Sequence, residues 1–355
     1  MMKPIKTTVA VALSIALLGT TGCFDKSSDK TTEAPKAEAA ASTVQQDTSL
    51  AWTDDAVTLY IPGKPGGGSD LTTRFLSNGW TALTGVTFSA KNFDSTVASF
   101  TQLSNRKPNG TELSETHSAI FTQYVTGASD VDPLNDVTLI ANMGNNGLRA
   151  IAARKDAPYN TFEELVAYMK EHPGEVKAGI SPNGTTQFTL GKLEHSLDIK
   201  FKYVEASQET DRLTNLAGGF IDIGTVSLSN GEEYEKAGKL KVLGTVGANG
   251  AKIADFMASA PDNYKTLQQM GYDDCYAVTN YYVIGPKGMD AALVEKINAS
   301  LKGLANKDNP YYTGMEGMGQ VAEWHSVEDS KAIYNDEYKD MEAVAKSLGI
   351  YKTAE

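Results

Sequence analysis

The sequence predicts an α/β protein with two lobes, each a mostly parallel sheet flanked by helices. Short apolar runs alternate with amphipathic segments from Val57 to the C-terminus, a pattern typical of strands joined by helical crossovers. Roughly 300 residues follow the N-terminal region, which is more than one core usually encloses. A unit of strand, polar loop and helix begins at Val57 and recurs at Val176, so that each lobe receives one unit.

The N-terminus predicts a lipoprotein-type signal peptide at residues 1–22. Lys3 and Lys6 precede an apolar stretch that ends in small residues. At about ten residues this stretch is too short to span a bilayer. The cysteine after Gly22 resembles a bacterial lipobox, so Cys23 is the predicted lipidation site. An ordinary secreted protein with a chance cysteine is the alternative.

Residues 23–50 predict a disordered tether, because they are rich in Lys, Ser, Thr, Glu and Ala and show no apolar periodicity. Cys275 is the only other cysteine, so a lipidated Cys23 leaves no disulfide partner. The formal net charge of −12 argues against nucleic acid as a partner. An anionic ligand would have to be held by local donors inside a cleft.

The first polar loop indicates an anion cradle. The strand Val57–Ile61 leads through a proline- and glycine-rich loop into a helix, so backbone N–H groups collect at the positive end of the helix dipole. The spacing fits neither a P-loop nor a dinucleotide fingerprint, and a carboxylate is the expected ligand. The predicted ligand-binding residues are Gly66, Gly67, Gly68, Ser69 and Asp70. A plain glycine turn capped by Ser69 or Asp70 is the alternative.

Two further segments are predicted strands that end in polar residues. Residues 111–118 predict a third strand, and 176–180 predict a strand that enters the second polar loop at Ser181. Ligands in parallel sheets bind at the carboxyl ends of the strands. We therefore expect the end of the third strand to lie near the glycine loop if the strand order permits.

The sequence predicts neither catalysis nor a metal or cofactor site. The four histidines show no metal-ligand spacing, and no Gly-x-Ser-x-Gly motif is present. Asp70 next to a helix start is better interpreted as a cap of N–H groups than as an acid or base.

Four stretches together resemble the solute-binding proteins of tripartite tricarboxylate transporters, the Bug or TctC family. They are residues 61–70, 179–187, 216–243 and 281–286 with the helix that follows. This sequence has Gly63-Lys64-Pro65 where Phe-Pro-Ala is more usual, and Phe188 where many relatives have His. The resemblance runs from about Val57 to the C-terminus.

The resemblance implies a periplasmic-binding-protein, or Venus-flytrap, fold in which the chain leaves the first lobe, builds the second and returns. It places lobe 1 at residues 51–145 and 277–355 and lobe 2 at residues 146–276. It implies that ligand carboxylates are held by backbone N–H groups, hydroxyls and waters. Beside Gly66–Asp70, the implied ligand-binding residues are His117, Ser118, Ser181, Asn183, Gly184, Thr185, Thr186 and Gln187.

The resulting expectation is a monomeric extracytoplasmic lipoprotein that captures a small di- or tricarboxylate, or a related acid, and delivers it to a membrane transporter. A ligand sensor that docks on a histidine kinase is the second possibility. A secreted hydrolase is the third, and it lacks a recognisable nucleophile and base.

Overall fold

The computed structural model describes residues 44–257 and 260–352. The strands are β1 (Val57–Ile61), β2 (Phe88–Asn92), β3 (Glu112–His117), β4 (Val137–Asn145), β5 (Arg149–Arg154), β6 (Lys177–Ile180), β7 (Lys202–Glu205), β8 (Ile223–Ser227), β9 (Leu240–Val246), β10 (Asn280–Pro286) and β11 (Val321–Ala322). The α-helices are α1 (Gly68–Thr84), α2 (Thr96–Ser104), α3 (Ala119–Val125), α4 (Phe162–Glu171), α5 (Thr185–Leu197), α6 (Glu209–Ala217), α7 (Leu228–Lys236), α8 (Ala291–Leu301), α9 (Pro310–Gly317) and α10 (Val327–Ser347).

The strands form two sheets. The first has the order β11-β4-β10-β3-β1-β2, and the second has the order β7-β6-β8-β5-β9. In the first sheet β1 pairs in parallel with β2 and β3, while β10 is antiparallel to both β3 and β4. In the second sheet β6 pairs in parallel with β7 and β8, while β5 is antiparallel to both β8 and β9. Most strands of each sheet therefore share one direction, and the predicted α/β class is confirmed.

The reversed strands β5 and β10 lie where the chain passes between the sheets. Only residues 146–148 separate the end of β4 from the start of β5. The alternation of strands and helices does not predict this pair, because no helix connects them. Asn146 N–H donates to Thr279 O at 2.9 Å, so the outgoing and returning segments are bonded to each other. The carboxyl ends of β1 to β4 and those of β6 to β9 therefore meet at this crossing.

Helices cover both faces of each sheet. The apolar core on one face of the first sheet includes residues of α1, α8 and α9, and the core on the other face includes residues of α2, α3 and α10. In the second sheet, one core includes residues of α4 and α5 and the other includes residues of α6 and α7. A small apolar cluster of Val125, Phe188, Val344 and Ala345 joins α3 and α10 to α5. This cluster is a further contact between helices that flank different sheets.

The predicted signal peptide and Cys23 lie outside the described residues. The predicted tether, 23–50, overlaps them only at 44–50, where the chain is already ordered: Thr48–Leu50 forms a short 3₁₀ turn and Asp47 N–H donates to Leu83 O at 2.7 Å. Strands of the first sheet come from residues 57–145 and 280–322 and those of the second from 149–246, while the lobe boundaries themselves stay a prediction. No helix within 44–257 or 260–352 is both long and apolar enough to cross a membrane.

Candidate functional site

The first polar loop is a tight turn that delivers the chain into α1. Gly67 N–H donates to Lys64 O at 3.2 Å, and Gly66, the third residue of the turn, has φ +79°. Pro65 precedes it, so the turn has the proline and the left-handed third residue that are typical of type II. Gly67 is extended at the N-cap position, and α1 begins at Gly68.

The second polar loop repeats this geometry. Gly184 N–H donates to Ser181 O at 2.9 Å, Pro182 is the second residue of the turn, and Asn183 has φ +55°. Gly184 is extended at the N-cap position, and α5 begins at Thr185. Residues 64–70 and 181–187 therefore match position by position, with Pro, a left-handed Gly or Asn, and Gly at the same places.

In each loop the third helical residue bonds back to the left-handed residue. Gly66 N–H donates to Asp70 Oδ2 at 2.9 Å, and Asn183 N–H donates to Gln187 Oε1 at 2.7 Å. The second loop has an additional bond from Ser181 N–H to Thr186 Oγ1 at 2.8 Å. The side chains of Asp70, Thr186 and Gln187 thus hold the loops in shape.

These loop bonds do not use the first N–H groups of α1 and α5. Within the described chain, no acceptor pairs with the N–H of Gly68, Ser69 or Asp70 in α1, or with the N–H of Thr185 or Thr186 in α5. Such groups carry the positive end of the helix dipole and bind anions. Each loop therefore presents two or three N–H donors from a backbone that its own side chains have already fixed.

The carboxylate of Asp70 is fully engaged inside the protein. Besides the Gly66 N–H, it accepts hydrogen bonds from Arg74 Nε at 3.0 Å and from Asn92 Nδ2 at 2.9 Å, and its side chain is 5% exposed. These partners, Arg74 foremost, lower the pKa of Asp70 to about 2. The carboxylate is ionised and saturated, which is the capping role weighed for it from the sequence.

Glycine is required in these loops at two positions for different reasons. Gly66 needs it because its φ is positive. Gly184 needs it because a Cβ there would lie 2.8 Å from Ser181 Oγ. Gly67 has an ordinary φ of −78°, and a Cβ on Gly68 would meet nothing within 4 Å. The open side of the first loop therefore lies at Gly68, at the start of α1.

His117 and Ser118 stand at the carboxyl end of β3, the strand beside β1. His117 is half-buried, and burial lowers its pKa to about 4, so the ring is neutral at pH 7. Its Nδ1 accepts the Ala119 N–H at 3.2 Å, which places the ring proton on Nε2 as a donor. Ser118 is buried, donates to Glu337 and accepts the Asn280 N–H at 2.9 Å. The hydroxyl proton of Ser118 therefore already has an acceptor inside the protein. A ligand contact through Ser118 stays a prediction.

Helix α3 connects the two loops. It follows β3, which pairs with β1 and so lies beside the first loop. Its Thr122 Oγ1 donates to Asn183 O, in the second loop, at 2.8 Å. The structure thus links the helix that follows β3 to the second loop, and the position of His117 and Ser118 between the loops stays a prediction. Nothing in the sequence indicates this contact of Thr122.

Another helix start on the same edge of the second sheet already binds a carboxylate. Glu209 Oε1 accepts the N–H and hydroxyl of Ser227, the N-cap of α7, at 3.0 and 2.7 Å. Burial opposes its ionisation, but Arg149 and these donors lower the pKa of Glu209 to about 2. Helix α7 therefore has an internal carboxylate bound to its N-cap residue.

The described ranges show no candidate metal site. They contain no group of three or more His, Cys, Asp or Glu side chains that could hold a metal ion. Asn92 and Arg149 carry no signal in the sequence, because only the fold brings them to Asp70 and Glu209.

The fold and the paired loops define a two-lobed solute-binding protein. The family model "Tripartite tricarboxylate transporter family receptor" matches residues 90–350, and the chain belongs to this family. Its members are binding proteins rather than enzymes, and they are extracytoplasmic.

Individual relatives agree with this assignment. A UPF0065 protein of Cupriavidus necator is 23% identical over 291 residues, which cover 78% of this chain and 86% of that protein. A structure of an R. palustris protein with adipate has a TM-score of 0.71 at 19% identity and covers 85% of this chain and 99% of its own. MatC of Rhodopseudomonas palustris with bound malate has a TM-score of 0.67 at 18% identity, covering 81% and 98%.

Proposed function

We propose that this protein is a lipid-anchored receptor that captures a small organic dicarboxylate or related acid between its two polar loops and delivers it to a tripartite tricarboxylate transporter. The observation that carries the proposal is the repeated loop geometry at residues 64–70 and 181–187. Each loop ends in a helix start whose N–H groups have no acceptor within the described residues.

The charge of the ligand follows from these donors. Neither loop turns a carboxylate or an amide oxygen toward the helix start, because the Asp70 carboxylate and the Gln187 amide oxygen accept from Gly66 and Asn183. N–H groups at a helix N-terminus favour an anion by about 0.3–1 kcal/mol from the dipole alone, in addition to the hydrogen bonds. A ligand with one carboxylate for each loop would use both sets of donors.

The family and its structures support this ligand class. Adipate and malate, the ligands named with two of the similar structures, are both dicarboxylates. The net charge of −12 provides no long-range attraction for such an anion, so affinity has to come from contacts inside the site. Fixed backbone donors meet that requirement because they need no cationic side chain.

The first experiment is a thermal-shift screen of the purified mature protein with di- and tricarboxylates, with the neutral dimethyl ester of each positive acid as its matched control. A ligand at 100 times its Kd stabilises the folded state by about 2.7 kcal/mol. We expect a dicarboxylate to raise the melting temperature and its ester to have no effect. Equal stabilisation by acid and ester, or no stabilisation by any carboxylate, would contradict the proposal.

Anchoring and delivery need separate tests. Cys23 lies outside the described residues, so its lipidation is tested by radiolabelled palmitate incorporation and by membrane fractionation of wild type and Cys23→Ala. Delivery is tested by uptake of the identified acid in cells that lack the receptor gene or the transporter genes. Uptake that survives loss of the receptor would contradict the delivery role while leaving the binding role intact.

A further inference from the structure

A second carboxyl group, in addition to that of Asp70, lies beneath the first loop. Glu115, on β3, is 1% exposed. Its Oε2 lies 2.8 Å from Thr73 Oγ1 and 3.2 Å from Thr72 Oγ1, both in the first turns of α1. Its Oε1 is buried and has no hydrogen-bond partner within the described residues, and no cation there forms an ion pair with it.

The two threonine hydroxyls are shared with the loop. Thr73 Oγ1 lies 2.8 Å and Thr72 Oγ1 3.2 Å from Ser69 O. Each hydroxyl has one proton, so donation to Glu115 Oε2 and donation to Ser69 O compete for it. Donation to Oε2 favours the ionised carboxylate, but it leaves the buried Oε1 without a donor. An ionised Glu115 would therefore bury a charged oxygen that has no donor, and a proton on the carboxyl avoids this cost.

Burial outweighs the hydrogen bonds from Thr73 and Thr72, which act in the opposite direction, and raises the pKa of Glu115 to about 8. The surrounding elements contribute no charge that would stabilise its ionised form. Tyr281 of β10 and Tyr311 of α9 face it as neutral phenols whose own pKa values are raised by burial. The other titratable or charged groups on adjoining positions are His117 and Glu112 on its own strand and the Asp70–Arg74 pair on α1.

The connection to the ligand site is the peptide unit between Ser69 and Asp70. Its carbonyl is the Ser69 O that the threonines bind, and its N–H is one of the donors that α1 presents. Hydroxyl donation to the carbonyl polarises this unit and strengthens the N–H as a donor. An ionised Glu115 would draw the hydroxyl protons away and would add a negative charge behind the loop.

We propose that Glu115 is a positioning residue that holds a proton beneath the first loop, and that loss of this proton weakens carboxylate binding there. This inference rests on the proposed function for its effect on the ligand. Two unit charges on the order of 10 Å apart, at an effective dielectric constant of about 20, change an affinity about tenfold to twentyfold. By linkage, a bound carboxylate must in turn favour the proton on Glu115.

The test is calorimetric titration with adipate from pH 6 to pH 9.5 for wild type, Glu115→Gln and Glu112→Gln. Glutamine imitates the neutral acid, and Glu112→Gln is the control on the same strand. We expect wild-type affinity to fall about tenfold as the pH rises through the range around 8, with proton uptake on binding near pH 8. Glu115→Gln should bind with the low-pH affinity throughout and take up no proton, while Glu112→Gln follows the wild type.

A wild-type pH profile in Glu115→Gln, or an affinity in this variant well below that of the wild type at pH 6, would overturn the proposal. Carbon-13 NMR of the glutamate carboxyls in the ligand-free wild type gives an independent result. Glu115 should titrate near pH 8, together with the amide proton of Asp70, and ordinary titration near pH 4.5 would also overturn the proposal. If adipate binds to no variant at any pH, that failure bears on the proposed ligand, and the carbon-13 titration still decides the protonation of Glu115.

Discussion

Replacing Asp70 by alanine should weaken ligand binding by releasing the first loop. The carboxylate has a lowered pKa, from 3.8 to about 2, chiefly because of Arg74 and then because of Gly66 N–H and Asn92. At about 1.4 kcal/mol per pKa unit, the ionised group stabilises the folded state by about 2 kcal/mol at neutral pH. This is an upper value, because the Arg74 side chain is 48% exposed and exposed pairs contribute little.

The stabilisation of about 2 kcal/mol by ionised Asp70 also determines how much affinity is lost. If the ligand has to reorder a released loop, about 2 kcal/mol of its binding free energy is used for that, which corresponds to about a 30-fold rise in Kd. Since the pKa of Asp70 is lowered in the folded state, its stabilising effect is present above pH 3.8 and is lost as the pH falls toward 2. The difference in unfolding free energy between wild type and Asp70→Ala should therefore shrink over that interval.

The assay pairs urea unfolding with calorimetric titration of the best dicarboxylate. Asn92→Ala breaks one bond to Asp70, at 2.9 Å, and should lower both stability and affinity by a smaller amount. Asp290→Ala removes the N-cap of α8, whose carboxylate accepts the Ala292 N–H at 2.9 Å. It should cost about 1 kcal/mol of stability and leave Kd unchanged. Unchanged affinity in Asp70→Ala, or an equal loss of affinity in Asp290→Ala, would refute the reasoning.

Three further changes test other parts of the site. Gly67→Val should abolish binding and leave the protein folded, because Val can adopt the φ of −78° at Gly67, while a Cβ there would lie 3.3 Å from Lys64 O and displace the turn that positions the donors. Gly66→Ala, at φ +79°, should instead cost about 1 kcal/mol of stability. Calorimetry and circular dichroism measure the two effects, and wild-type affinity in folded Gly67→Val would be the contrary result. Thr185→Ala combined with Thr186→Ala should raise Kd by about one to two decades, at about 0.5–1.5 kcal/mol for each hydroxyl, and part of this comes from the lost Ser181 N–H bond to Thr186. Cys23→Ala should release the protein from membranes with unchanged Kd, and a wild type that already fractionates as a free protein would contradict the anchor.

The sequence was most informative where local chemistry decides the structure. Proline, glycine and asparagine restrict φ in the two loops, and the alternation of strands and helices is visible in the apolar pattern, so both loops and the α/β class could be predicted. The family resemblance was confirmed over residues 90–350. In the two loops, a residue's neighbours in sequence determine its conformation.

The parts that could not be predicted depend on contacts between distant segments. The direct passage from β4 to β5 carries no signal in the helix and strand alternation, because no helix lies between them. The bond from Thr122 to Asn183 joins residues that only the fold brings together. Glu115 is one charged residue in a strand, and its burial under α1 follows from sheet order, which a single sequence does not show.

The central claim is that both helix starts bind one ligand, and an amide NMR titration tests it most directly. Isotope-labelled mature protein is titrated with the dicarboxylate that gives the largest thermal shift. We expect the N–H signals of Gly68, Ser69 and Asp70 and those of Thr185 and Thr186 to move together and to saturate with a single Kd. A ligand that stabilises the protein while shifting the amides of only one loop, or of neither, would contradict the account.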